Sequence, residues 1–193
     1  MFTYFYVSHI MDQVLYWNDV ALEANRVSFT DKDKREQGGP TLSSRALAIV
    51  HLAIHDAYVG ASGTGTFTSY LPTLPPAPAG APFVAAIAGA AHTALVALYP
   101  KQKSFFDAKL NAITHIISGA ELGHRYGCKV AALILKERKD DPDNSDAGYV
   151  AQTGRGYHKP DPSNPQGVLA PFYGAQSKLF AARTRFELLP PPF

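Results

Sequence analysis

Between Asp12 and Thr30 the side chains repeat at the spacing of an α-helix: Leu15, Asn18, Leu22 and Asn25 fall on one stripe, with Val14, Trp17, Ala21 and Ala24 beside it. A polar turn ending in Gly38, Gly39 and Pro40 follows. The pattern then resumes through Leu47, Val50, His51, Ile54 and Tyr58, with Thr41 or Ser43 offering an N-cap oxygen and Gly60 reading as the stop. Residues 61–80 carry Gly, Ser, Thr and Pro and no charge, which predicts a long loop or extended cover. A third helix is expected from Pro82 to Tyr99. Its Ala85, Ala86, Gly89 and Ala90 let a neighbouring helix come close, so it is expected at the centre. Phe106, Leu110, Ile113 and Ile117 give a fourth helix closed by Gly119. Leu122, Tyr126, Val130, Leu133 and Ile134 give a fifth, ending near Lys139.

Proline sharpens these boundaries, because it breaks helix interiors and is absent from residues 1–39 and 101–141. The expectation is an all-α fold, a helical bundle of about five helices over residues 12–139. Residues 1–11 form a peripheral extension. Residues 140–193 form a Pro/Gly-rich irregular tail that wraps the bundle or connects it onward, with one short helical stretch around Gln176–Thr184.

Composition adds exclusions. With 193 residues, 46% hydrophobic and 18% charged, the chain reads as one globular unit. Eighteen Lys and Arg against sixteen Asp and Glu leave a net charge of +2, and no basic face gathers to neutralise a phosphate backbone, so nucleic acid is not expected as a partner. The single cysteine, Cys128, rules out an internal disulfide and a Cys-rich zinc site, and its apolar surroundings predict a buried, inert thiol. Met1–Ile10 lacks the cationic start and small-residue cleavage site of a secretory signal, leaving a cytoplasmic location as the default. Ala81–Pro100 is uncharged and almost long enough for a bilayer of about 30 Å. Its Ala and Gly content, with His92 and Thr93, fits a buried core helix better than a membrane span.

The most suggestive chemistry lies in His51–Asp56, HLAIHD, where two histidines at i and i+4 share a helix face and could ligate one metal. A zinc-protease helix needs Glu after the first His, and Leu52 stands there. A polar network between helices accounts for the same residues: Asp56 sits in the last turn, where the helix dipole disfavours a carboxylate, and so calls for a partner such as Arg26, Arg45 or a protonated histidine. Asn18, Glu23, Arg26, Arg45, His51, His55 and Asp56 are therefore the candidate buried polar network. A small metalloprotein built on His51 and His55, completed by Asp56 or His92, is the competing reading. The loop GRGYHKPDP, residues 154–162, gathers Arg155, His158 and Lys159, a weak anion-binding signal.

Three segments, VLYWNDVALEANRVSFT (14–30), GPTLSSRALAIVHLAIHDAYVGA (39–61) and APFYGAQSKLFA (170–181), resemble in the same order the amino-terminal region of vanadium-dependent chloroperoxidases and their bacterial relatives. The resemblance implies an all-α fold of two helical bundles, of which this chain supplies most of the first. It also implies peroxide-dependent halide oxidation with vanadate as cofactor. In that family vanadate is held in the second bundle by a Lys, several Arg, a PSGH motif and a direct His ligand. No PSGH occurs here and no vanadate ligand transfers to a numbered residue, so no catalytic, cofactor or metal residue is assigned and none is expected bound to this chain alone. The expected partner is a carboxyl-terminal vanadate-binding bundle, in cis or as a separate chain, and a homo-oligomer is left open. A stand-alone helical interaction module is the alternative, and kinship with acid phosphatases, which share the anion pocket, leaves peroxidase against phosphatase chemistry undecided.

Overall fold

Among the described residues five α-helices build the domain: α1 (Gln13–Thr30), α2 (Gly39–Ser62), α3 (Phe83–Leu98), α4 (Lys103–Thr114) and α5 (Ala120–Glu137). Single 3-10 turns at Lys32–Lys34 and Pro100–Gln102 lie between α1 and α2 and between α3 and α4. The structure is a computed structural model and describes residues 12–114, 117–142, 148–150, 152–157, 159, 161–164, 173 and 176–182. Among them there is no strand, only an isolated bridge between Asp161 and Asn164, so the fold is all-α. The expected extension at 1–11, and His158, lie outside the described residues.

Local chemistry explains where the helices start and stop. Asp12 caps α1, its carboxylate accepting the Val14 and Leu15 N–H groups at 2.8 and 3.2 Å. Helix α2 begins earlier than expected: Gly38 is the N-cap and Pro40 occupies the first turn, where its missing N–H costs nothing. Ser43 instead donates its hydroxyl to the Gln37 carbonyl at 3.0 Å. Gly60 does not stop α2, which continues to Ser62 and ends at Gly63 with φ of 63°. The position a Cβ would take at Gly60 is filled by the Tyr126 hydroxyl, so this glycine serves close packing rather than termination.

Helix α3 is central and packs against each of the other four. Its closest neighbour is α5, and the reason is glycine on both sides. A Cβ at Gly127 would collide with the Ala86 carbonyl, one at Gly123 with the Pro82 carbonyl, and one at Gly89 with the His124 backbone. Backbones therefore meet directly along the α3–α5 seam. Trp17, Val20, Ala21 and Ala24 of α1, Ile49, Val50, Ala53 and Ile54 of α2, Phe106 of α4, and Tyr126, Val130 and Ile134 of α5 complete the core around it. The α1 face that turns inward is thus the Trp17 side, while Leu15 and Leu22, on the stripe with Asn18 and Asn25, are exposed.

No single helix among the described residues is long and apolar enough to cross a membrane. Helix α3 is buried by its neighbours, and the chain bends by 119° between it and the following helix. Where a short helix is expected at 176–184, only Gln176 of the described residues is helical, and the Ser177 N–H donates to the Tyr173 carbonyl at 2.9 Å. Residues 177–182 are irregular, and Arg183 and Thr184 lie outside the described residues.

Candidate functional site

Asp56 is fully buried near the end of α2. Its partners are not arginines. One carboxylate oxygen accepts the Tyr70 N–H at 2.7 Å, the other the Leu71 N–H at 2.9 Å, and His55 Nδ1 lies 3.0 Å from the first. Tyr70 and Leu71 belong to the proline-rich segment between α2 and α3, so this one side chain fixes that segment over the bundle. Tyr126 of α5 adds a second tie, its hydroxyl donating to the Pro75 carbonyl at 3.1 Å. Charge-assisted bonds to backbone N–H groups are worth more than neutral ones, which is why a buried carboxylate is tolerated here.

Arg45 enters a different cluster. From the second turn of α2 its Nε donates to Asp141 Oδ2 at 2.7 Å, and the same oxygen accepts Nε of Arg138 at 2.8 Å. Arg138 closes α5 and is fully buried. Its remaining nitrogens donate to the Lys178 and Leu179 carbonyls at 2.9 and 3.4 Å, and its guanidinium stacks 3.8 Å from the Phe180 ring centroid. A second Arg45 nitrogen donates to the Arg138 carbonyl. Lys178 also reaches Glu137, its ammonium donating to the backbone and carboxylate oxygens at 3.0 and 2.9 Å. Helix ends and tail are thereby clamped in one place. The Lys178 N–H is drawn into the same clamp, donating to Asp141 Oδ1 at 3.3 Å.

The other five candidates stand apart from this clamp. His51 Nε2 lies 3.2 Å from Asn18 Oδ1 and joins α2 to α1, and burial pushes its imidazole below the ordinary histidine range. Glu23 and Arg26 form a bidentate pair at 2.6 and 2.7 Å on the solvent side, with 41% and 60% of their side chains exposed. The Arg26 hydrogen bond holds the Glu23 carboxyl below its usual range. His55 stays with Asp56. The seven residues are therefore four separate contacts rather than one network.

His92 is engaged by Asp107 of α4 at 2.8 Å, so it does not complete a site with His51 and His55, and among the described residues no three His, Cys, Asp or Glu converge for a metal. Cys128 is half-buried rather than buried. Burial raises its pKa, but hydrogen bonds with His124 and Thr93 outweigh that, and the half-buried thiol is held below its ordinary value. Arg155 and Lys159 are exposed.

Residues 8–172 match the vanadium chloroperoxidase N-terminal domain. The chain belongs to this family. The vanadium chloroperoxidase of Curvularia inaequalis is 32% identical over 225 residues, an overlap that takes in 93% of this chain and 37% of the fungal protein. The chain therefore spans little more than a third of that relative's length.

In this vanadium chloroperoxidase N-terminal domain the guanidiniums of Arg45 and the buried Arg138 do not fit vanadate. Holding such an anion takes several cations aimed at one open point. Arg45 and Arg138 are aimed at Asp141 and at main-chain carbonyls, and an entering oxyanion would have to displace a carboxylate that both already share. The exposed cations Arg26, Lys103 and Lys178 are likewise paired, with Glu23, Asp107 and Glu137. Arg138, Asp141 and Lys178 were not marked by sequence reasoning. The usable signal was the three-residue spacing of Arg138 and Asp141 just past an expected helix end, the same spacing that singles out Glu23 and Arg26.

Proposed function

We propose that this chain is the scaffold domain of a vanadium-dependent haloperoxidase-type protein, and that vanadate binding and halide oxidation belong to a carboxyl-terminal part supplied in the same polypeptide or as a separate chain. The observation that carries this reading is the match of residues 8–172 to an N-terminal domain whose fungal relative is far longer. The Arg45–Asp141–Arg138 cluster supports it, because the buried Arg138 and the part-buried Arg45 are already committed to internal architecture. Vanadate, when bound in such a protein, activates peroxide as a Lewis acid for attack by halide. The residues of this chain contribute form instead: we assign residues 12–139 to the bundle, 140–193 to a wrapping or connecting tail of which Lys178, Leu179 and Phe180 are held by Arg138, and 1–11 to a peripheral extension.

The test is halogenation by the purified chain given vanadate, hydrogen peroxide, bromide and a phenolic dye. The expected result is no bromination above the protein-free control. Vanadate-dependent turnover by the chain alone would overturn the proposal.

A further inference from the structure

Helices α1, α2 and α3 meet around an open cavity of about 430 Å³. Its walls are Val14 at the start of α1, Tyr58 near the end of α2, and Phe83, Val84 and the buried Ile87 at the start of α3. Val14 and Phe83 are 41% and 45% exposed. Tyr58 meets Phe83 edge-on with 5.6 Å between ring centroids, and the exposed Phe67 extends the aromatic wall at 6.3 Å from Tyr58. Of the described residues that line the cavity only Asp12 is charged, and its carboxylate is committed to the Val14 and Leu15 N–H groups. A concave apolar wall with no charge on offer calls for an uncharged, apolar occupant.

The chain itself brings such an occupant to the rim. Asp12 lines the cavity, so the residues that precede it leave from the cavity's edge. Residues 1–11 contain no Asp, Glu, Lys or Arg, and their large apolar side chains are Phe2, Tyr4, Phe5, Tyr6, Val7 and Ile10. Length is no obstacle, because eleven extended residues reach up to about 40 Å. A segment tethered at the rim meets the cavity at an effective concentration of about millimolar, so a modest apolar contact is enough to seat it. The family match begins at residue 8, so the part of the segment next to Asp12 belongs to the domain as the helices do.

We infer that the apolar side chains of residues 2–10 turn back at Asp12 and fill the cavity between Val14, Tyr58, Phe83 and Val84, making the extension the domain's own cover at this corner. The inference goes beyond the scaffold reading and stands whether or not that reading holds.

The test is thiol accessibility in the full chain. Cys128→Ala removes the native thiol, Val84→Cys places a probe in the cavity, and Leu133→Cys, at an exposed position on α5, is the control. Each is compared with the same chain in which Phe2, Tyr4, Phe5, Tyr6, Val7 and Ile10 are all replaced by Ser. The expected result is that maleimide modifies Val84→Cys at least about tenfold more slowly with the native segment, with Leu133→Cys equally reactive in both. Equal rates at Val84→Cys would overturn the inference and leave the cavity to a free apolar ligand or a separate protein. Equal slowing at Leu133→Cys would overturn it as well, since the segment would then act on the whole fold. Protection that is lost on dilution, with a dimer in sedimentation, would assign the cavity to a second copy and also overturn it. Should the serine-substituted chain fail to fold, a nitroxide on Thr3→Cys in the Cys128→Ala chain decides: the methyl NMR signals of Val84 and Ile87 are expected to broaden while those of Leu133 do not. Unbroadened Val84 and Ile87 signals would overturn the inference.

Discussion

Asp56 holds two backbone N–H groups of a segment that has no regular structure of its own. Replacing it with Asn swaps one acceptor for a donor that faces an N–H, so Asp56→Asn is expected to lower the unfolding free energy by about 2–3 kcal/mol in a urea titration. His51 gives a pH dependence. Burial holds its pKa below the ordinary 6.5, so the unfolded chain takes the proton more readily than the folded one. The sign follows from linkage: His51 costs no stability above its unfolded pKa and subtracts stability as pH falls through and below it. Urea midpoints from pH 7.5 down to pH 5 should fall more steeply for the native chain than for His51→Gln, which keeps a donor for Asn18; parallel curves would contradict this. Tyr99 is a further case, its hydroxyl buried without a partner among the described residues and its pKa pushed up to about 12 by burial and by Glu36. Tyr99→Phe removes a desolvated polar group and is expected to leave stability unchanged or raise it by up to about 1 kcal/mol in the same titration.

At the scale of helices the α3–α5 seam is the most sensitive contact, because it joins backbone to backbone. Gly127→Ala places a methyl group against the Ala86 carbonyl, and relief requires moving a whole helix. A loss of about 1–3 kcal/mol or more is expected by thermal or urea unfolding, whereas a Gly-to-Ala change inside a helix with free space around it stabilises by roughly 0.5–1 kcal/mol. The helices themselves were legible in the sequence, since periodicity and proline placement locate all five to within a few residues. The face each helix buries was less legible. On α1 the exposed stripe with Leu15 and Leu22 and the core stripe with Trp17 are adjacent, and hydrophobicity alone does not rank them. Gly60 illustrates a second limit: a glycine needed for the approach of Tyr126 has the same sequence signature as a helix stop. The partners of Asp56 were illegible for a further reason, being main-chain N–H groups that every residue carries.

For the molecule as a whole, the clamp at Arg138 decides whether bundle and tail behave as one unit. Arg138→Met leaves the Lys178 and Leu179 carbonyls without their donor and Asp141 with one guanidinium instead of two. Breaking a buried ion pair in this way typically costs about 3–5 kcal/mol. The variant should unfold at lower urea and be cleaved by protease near residues 176–182 well before the bundle is; a tail as resistant as in the native chain would show that Arg138 does not hold it. The same clamp bears on chemistry, because its two guanidiniums are closed around Asp141 rather than open to an oxyanion. The most direct measurement is a titration of the purified chain with orthovanadate followed by vanadium-51 NMR. A scaffold whose Arg45 and Arg138 are committed to Asp141 and to main-chain carbonyls predicts a free-vanadate signal that keeps its width and position at equimolar protein. A saturable, stoichiometric bound signal, displaced by phosphate, would contradict the account.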